Sequence, residues 1–399
     1  MKILVLNAGS SSHKAALFDF DVAQEPLWNA QLDWTHQAGV VELAAHTADD
    51  RHHQATLETQ DKTAGIEWML KTLVTGPVKV LNDLSEIQAV GHRVVHGGRE
   101  YQQSTPVTPA VKAAIRQLFP LAPAHNPANL EGIEAMEAIL GSVPQVAVFD
   151  TAFHAQIPPA AATYPGPYEW VEQGIQRYGF HGISHRYVAQ RAADLMGKEL
   201  SAVRLITCHL GNGCSLAAVR NGVSVDTTMG FTPLDGLMMG SRSGSVDPGI
   251  LIHLLRHDGL TADDLDQLLN RASGLQGISG ESNDMRQVLA AAETGCDRAQ
   301  LAVDMFIHSL RRHIGAMLGS LGGLDALVFT AGMGENSVPL WQAACQGWEF
   351  LGLTLKSEPL QRHKADQDIA AAQSSVRVFV IHTREEWAIA QDCCQVLGL

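Results

Sequence analysis

The stretch Leu205 to Ile250, LITCHLGNGCSLAAVRNGVSVDTTMGFTPLDGLMMGSRSGSVDPGI, decides how the rest of this chain is read. It opens on an apolar run at Leu205 and Ile206 and meets a tight Gly211-Asn212-Gly213 turn. An extended small-residue run follows from Ser215 to Val219, then a second turn at Asn221-Gly222. That pattern is strand, turn, strand. Glycine at such a turn lets backbone N–H groups approach an anion, because no Cβ intervenes. Further along, Arg242 sits between Gly240-Ser241 and Ser243-Gly244, ahead of Asp247-Pro248-Gly249. One arginine in a frame of small residues suits bidentate capture of a phosphate or carboxylate. The alternative is two surface hairpins with a solvated arginine. The Gly-Asn-Gly turn alone favours that alternative; the whole stretch favours an anion site.

Working outward, Val5-Leu-Asn-Ala-Gly-Ser-Ser-Ser12 repeats the pattern of Cys208-His-Leu-Gly-Asn-Gly-Cys-Ser215 about half a chain earlier. Each is an apolar strand, a Gly/Ser/Asn turn and a small-residue strand. This echo points to a duplicated domain with a phosphate-binding hairpin in each half. The length of 399 residues agrees, since a single core rarely grows that large.

Composition narrows the function classes. With 46% hydrophobic and 18% charged residues, the chain is that of an ordinary globular protein. A net charge of -14 argues against nucleic acid or an anionic membrane as partner. Any anionic substrate therefore needs arginines gathered locally. Six cysteines without a C-x-x-C spacing fit a reduced, cytoplasmic protein with neither a disulfide frame nor a zinc site. Only four apolar residues, Ile3 to Leu6, precede Asn7, so neither a signal peptide nor a membrane span is expected.

Trp28 to Trp34 and Gln54 to Thr59 read as further strands, with a His- and Asp-rich loop from His46 to His53 between them. Thr63 to Val74 is helical. Ile87 to Gly91 enters a strand leading to His92-Arg93-Val94-Val95-His96-Gly97-Gly98, a dense basic cluster in an acidic chain. Asn126 or Asn129 is placed to cap a helix from Leu130 to Leu140. Val146 to Phe149 is a buried strand ending at Asp150, which either caps the next turn or serves catalysis or metal binding. The proline-rich segment from Ile157 to Pro167 marks a crossing between domains. Arg177, His181 and His185 fall within nine residues. Gly277 to Arg286 is a polar loop, and Arg298 to Leu318 is a long helix of core spacing. Leu327 to Asn336 reads as strand, Gly-rich loop and helix start, a setting suited to nucleotide phosphates.

Seven motifs in order, across nearly the whole chain, resemble the acetate kinase family. They are Asn7 with Gly9 to Ser12, His92 to Gly98, Phe149 to His154, Tyr178 to Gly182, His209 to Gly213, Gly240 to Gly244 and Ala331 to Asn336. The resemblance implies an α/β fold: two ribonuclease-H-like (actin/hexokinase-type) domains with mixed sheets flanked by helices and a cleft between them. The domains would be 1–150, completed by a C-terminal helix at about 385–399, and 151–384. It also implies a homodimer and reversible transfer of the γ-phosphoryl group of ATP to acetate, giving acetyl phosphate and ADP, with magnesium (or manganese).

The family roles carry over residue by residue. Arg93 and Arg242 would clamp the acyl carboxylate and the moving phosphoryl group, His181 would donate to it in the transition state, and Asp150 would orient Arg93 or act near the nucleophile. Val95, Ala124, Phe180 and Pro233, with Arg93, would line the acyl pocket. Asn7 and Glu385 are the magnesium positions. ATP would be held by Lys14, by His209, Leu210, Gly211, Asn212 and Gly213, by Asp284, Met285 and Arg286, and by Gly332, Met333, Gly334, Glu335 and Asn336.

The chain departs from the family pattern at several places. His13 and Ala15 replace larger apolar residues, Ala124 replaces a leucine, and Arg384 replaces an asparagine. Asp235 and Ser245 replace a glutamate and an aspartate. Ala124 would enlarge the acyl pocket, so a propionate (small acyl) kinase is the alternative. A superfamily member that uses ATP only for domain closure is the other class. Retention of both arginines, His181 and Asp150 argues against it, because a switch needs no acyl-anion clamp.

Overall fold

The computed structural model describes residues 1–363 and 365–399. The chain divides into two compact units, one formed by Met1–Ala152 with Arg384–Leu399 and the other by Phe153–Thr383.

The first unit holds strands β1 (Lys2–Ala8), β2 (Ser12–Asp19), β3 (Trp28–Asp33), β4 (Val40–Thr47), β5 (His52–Glu58), β6 (Ala89–Val94), β7 (Thr105–Pro106) and β8 (Gln145–Phe149). They form one sheet in the order β5-β4-β3-β2-β1-β6-β8-β7. Neighbours from β5 to β1 are antiparallel, whereas β1, β6 and β8 run parallel. Strand β1 shows why the sheet is buried on both sides. Leu4, Leu6 and Ala8 join a core with Ile66, Met69 and Leu70 of helix Lys62–Val74 and Met136 of helix Asn126–Leu140. The alternate residues Ile3 and Val5 are equally buried and face the other way. On the C-terminal helix Glu385–Leu397, Ile389 and Cys393 close over Gly91 of β6 so tightly that a Cβ there would lie 2.5 and 2.7 Å from them.

The second unit carries β9 (Arg204–Leu210), β10 (Cys214–Arg220), β11 (Val223–Thr227), β12 (Ala326–Thr330), β13 (Gln367–Asp368) and β14 (Arg377–Val380), in the order β11-β10-β9-β12-β14-β13. Again the first three strands are antiparallel and the next two parallel. The string β3-β2-β1-β6-β8 thus has the same order and directions as β11-β10-β9-β12-β14. This is the mixed-sheet α/β arrangement expected of a ribonuclease-H-like pair, and the two hairpins that echo each other in sequence occupy equivalent places. Helix Gly182–Leu195 packs Val188, Ala189, Ala192 and Ala193 onto this sheet. The long helix Asp297–Leu321 also packs against the sheet through β9, β10 and β11.

Three local expectations are corrected. The His46–His53 loop is half strand, a hairpin turn over 48–51: Val40–Thr47 pairs with His52–Glu58, and His46 lies opposite His52. Its alternation is muted in sequence because Ala44 is exposed while Ala45 is buried. Asn126 and Asn129 do not cap the helix they open. The helix starts at Asn126 and its cap position is His125, without a side-chain cap bond. Lastly, Ala331–Asn336 is helical straight after β12, so the Gly-rich loop is a helical turn. Ala331 makes the switch in one residue at φ 65°, with the Glu335 carboxylate accepting its N–H at 2.9 Å.

Candidate functional site

In the first unit, the parallel register of β6 and β8 brings Arg93 opposite Val148, so Asp150, just past the end of β8, comes alongside the guanidinium. Asp150 accepts from Arg93 Nε at 3.0 Å and Nη2 at 2.5 Å, and its own N–H donates to the Val94 carbonyl at 2.9 Å. Arg93 Nη1 reaches Asn7 Oδ1 at 3.4 Å, and Arg93 Nε lies 3.9 Å from Glu385 Oε2 in the first turn of the C-terminal helix. Burial works against the Arg93 charge, but Asp150 and then Glu385 hold its pKa above the ordinary value. Burial pushes Glu385 up to about 7, with Arg93 pulling it down and Asp150 and Glu386 raising it. Arg384, the residue that replaces asparagine, turns to Glu25 at 2.9 Å.

The expected basic cluster around Arg93 reduces to a single cation. His92 and His96 are buried, and burial lowers both to about 4, so they are neutral at pH 7. His13 is likewise buried, lowered to about 4 by burial and then by Lys62, and packs edge-on against Trp34 at 4.9 Å; it stands in for an apolar residue. Val95 is buried, whereas Ala124 is exposed in the turn before Asn126.

Asp150 Oδ1 is a buried oxygen without a hydrogen-bond partner. With Asn7 Oδ1 and the Glu385 carboxylate it makes a set of hard oxygen donors. Among the described residues no group of three or more His, Cys, Asp or Glu gathers as a metal site. Two carboxylates and an amide fit magnesium, which binds few protein oxygens and keeps its waters.

In the second unit, Arg242 and His181 meet at the turn between β9 and β10. A Cβ on Gly213 would lie 3.3 Å from His181 Cε1 and 3.4 Å from Arg242 Nη1. His181 takes the left-handed conformation at φ 57° and opens helix Gly182–Leu195. Its ring stacks on that of His209 at 4.1 Å. Arg242 Nη1 donates to the Pro233 carbonyl at 3.1 Å, and no carboxylate among the described residues pairs with Arg242. Burial lowers its pKa, yet a guanidinium stays charged. A part-buried cation without a carboxylate partner among the described residues is a receptor for an anion. Phe180 is buried, and its carbonyl accepts from His154 Nε2 at 3.0 Å. Asp235, where the family has glutamate, spans Ser245 at 2.6 Å and Arg177 at 3.4 Å.

The far side of the same turn lines a cavity of about 710 Å³. Its walls include Gly211, Asn212, Asp284, Met285, Arg286, Gly332, Met333 and Asn336. A volume of that order suits a nucleotide. Gly240 must be glycine, since a Cβ would fall 2.2 Å from Asn212 Oδ1. The other six expected nucleotide positions are absent from these walls. Leu210 is core, Gly213 faces His181 and Arg242, and His209 Nδ1 bonds Ser184 Oγ at 2.8 Å. The Gly334 carbonyl accepts from Trp341 Nε1 at 2.6 Å, and Glu335 spends one oxygen on the Ala331 and Thr383 amides, each at 2.9 Å. Lys14 belongs to the first unit. Asn283, Leu289, Ser337, Pro339 and Arg362 line the cavity without having been read from sequence. Asn283 and Ser337 each adjoin an expected residue; Leu289, Pro339 and Arg362 carry no motif signal.

A model of the acetokinase family matches residues 2–391. An acetate kinase of Gloeobacter violaceus is 59% identical, with 100% of each chain covered. The crystal structure of Porphyromonas gingivalis acetate kinase superposes with a TM-score of 0.94 at 39% identity, covering 99% of both chains. A propionate kinase from Francisella tularensis gives 0.90 at 37% identity, covering 98% of both. With a family model over nearly its whole length, relatives of this identity and the same mixed sheet in each unit, the chain belongs to the acetokinase family.

Proposed function

We propose that this chain transfers the γ-phosphoryl group of ATP to acetate, reversibly, giving acetyl phosphate and ADP. The observation that carries the proposal is Arg242: a part-buried guanidinium without a carboxylate partner among the described residues, beside His181, on a turn whose other side walls a nucleotide-sized cavity. Acetate titrates near a pKa of about 4, so at pH 7 it is already a nucleophile and needs no strong base. The demand is for positive charge that brings two anions together and neutralises the phosphoryl group in flight. Arg242 meets that demand in the second unit and Arg93 in the first, with Asp150 fixing the plane of Arg93. His181 donates to an equatorial phosphoryl oxygen. Magnesium, held through Asn7, Glu385 and the free oxygen of Asp150, would supply charge neutralisation on the phosphates.

A homodimer is part of the reading. In its support, helix Pro248–His257 buries none of its residues and exposes Ile250, Ile252 and Leu255. A cytoplasmic setting is supported by the free thiols, four of them buried. Among the described residues no helix is long and apolar enough to cross a membrane.

The test is Mg-ATP-dependent acyl phosphate formation with acetate, propionate and butyrate in parallel, with Arg242→Ala as control. Acetate should lead, and the variant should lose on the order of 10³–10⁵ in kcat, as for an arginine finger. Propionate leading would reassign the acyl substrate. No acyl phosphate from any acid, or an undiminished Arg242→Ala, would overturn the proposal.

A further inference from the structure

Behind His181 runs a series of buried polar side chains for which the phosphoryl-transfer chemistry has no direct use. His181 Nδ1 lies 2.9 Å from Ser215 Oγ, and that oxygen lies 2.7 Å from His185 Nε2. His185 Nδ1 in turn lies 2.7 Å from Thr207 Oγ1. Ser215, His185 and Thr207 are fully buried. Burial, and after it the neighbours His154 and His209, holds His185 well below the usual histidine range, so its ring is neutral and has one N–H.

Three hydrogen bonds in series must share their hydrogens consistently. In one direction, Thr207 donates to His185 Nδ1, His185 Nε2–H donates to Ser215, and Ser215 donates to His181 Nδ1. His181 is then a neutral imidazole with its hydrogen on Nε2. In the reverse direction His181 Nδ1–H donates to Ser215, Ser215 to His185 Nε2, and His185 Nδ1–H to Thr207. The Thr207 hydrogen must then find another acceptor, and the Ala217 carbonyl stands 3.5 Å away, at the edge of a hydrogen bond. The first direction gives that hydrogen a partner at 2.7 Å.

We infer that Thr207, His185 and Ser215 set the tautomer of His181, presenting it to the phosphoryl group as a neutral Nε2–H donor; Ser215 and His185 are positioning residues. The inference rests on His181 serving phosphoryl transfer as proposed above. Its surroundings agree. The titratable and charged groups packed around it include His209 on β9, His185 on its own helix and Arg242 across Gly213. An imidazolium there would stand near the fixed charge of Arg242, which a neutral donor avoids.

Two measurements test this. In the full-length wild-type chain labelled with ¹⁵N-histidine, with the His181 signals assigned by difference from His181→Gln, Nε2 should be protonated and Nδ1 bare at pH 7.5. A hydrogen on Nδ1 overturns the inference. In acyl phosphate formation, Ser215→Ala should lower kcat on the order of tenfold at pH 8 with little change in KM, because the wrong tautomer is no longer excluded. The deficit should shrink as pH falls and the imidazolium, which carries both hydrogens, forms, and Ser215→Thr should restore the wild-type profile. A deficit that is the same at every pH marks Ser215 as merely structural and overturns the inference. Failure of the functional proposal looks different: no acyl phosphate from wild-type protein, whatever the spectrum shows.

Discussion

Arg93 and Arg242 are both part-buried guanidinium groups, but their surroundings differ. Arg93 is held by Asp150 at 2.5 Å and has Glu385 at 3.9 Å, so it is a prealigned cation. Arg242 has only carbonyl and thioether partners among the described residues. Its charge awaits a ligand. In sequence the two differ in another way, Arg93 lying in a His-rich cluster and Arg242 between serines and glycines. At this scale, too, lies the acyl preference. Ala124 is exposed in the turn ahead of helix Asn126–Leu140, while Val95 is buried in the same unit. If Ala124 leaves room for an extra methylene, Ala124→Leu should reduce kcat/KM for propionate relative to acetate. One methylene is worth about 1–3 kcal/mol, or roughly 5- to 150-fold. Parallel kinetics with the two acids checks it, and better use of propionate by the variant would remove Ala124 from the pocket.

At the scale of elements, asparagines expected to cap a helix instead tie helix to sheet. Asn129 accepts from the Val95 N–H at 3.0 Å and donates to the Ala8 carbonyl at 2.7 Å. Asn126 accepts from the His96 N–H and donates to the His96 carbonyl, both at 3.1 Å. These bonds satisfy backbone where β1 and β6 end and the site begins, so the segment carrying Val95 is held without a strand partner. Asn129→Ala leaves two buried backbone groups unpaired, each costing about 1–3 kcal/mol. Urea unfolding should show a loss of about 2–5 kcal/mol with an unchanged m-value. A loss below 1 kcal/mol would mean that water replaces the side chain and that this tie does not hold the segment.

Across the whole molecule, buried histidines set the acid response. His13, His92, His96 and His154 are each lowered to about 4, chiefly by burial, and His185 lies well below the usual value. Their folded pKa values lie below the unfolded value near 6.5, so between about 6.5 and 4 the unfolded chain binds more protons than the native one. The histidine contribution is therefore complete above about pH 6.5 and is lost as pH falls toward 4, with a slope approaching about 1.4 kcal/mol per pH unit for each histidine. Glu385, raised to about 7 by burial, works the opposite way, as one group against five. The melting temperature should fall steadily from pH 7 to pH 5, and His92→Gln should flatten the slope by about one histidine's share. A melting temperature that does not change over this range would contradict neutral burial.

What the sequence by itself determined is what depends on neighbours in the chain: apolar strands, tight glycine turns, helical periodicity, and the repeated hairpin that marks two mixed sheets. Those signals are local and repeat along the chain, so they survive without coordinates. Only the tertiary structure decided which polar residues meet. Parallel register set Asp150 beside Arg93, and burial made neutral the histidines that had looked like a basic cluster. Folding of β9, β10 and helix Gly182–Leu195 together lined up Thr207, Ser215, His185 and His181. Leu289, Ser337, Pro339 and Arg362 joined the cavity wall for the same reason. Hydrogen-bond partners, desolvation and cavity shape are properties of groups distant in sequence and adjacent in space.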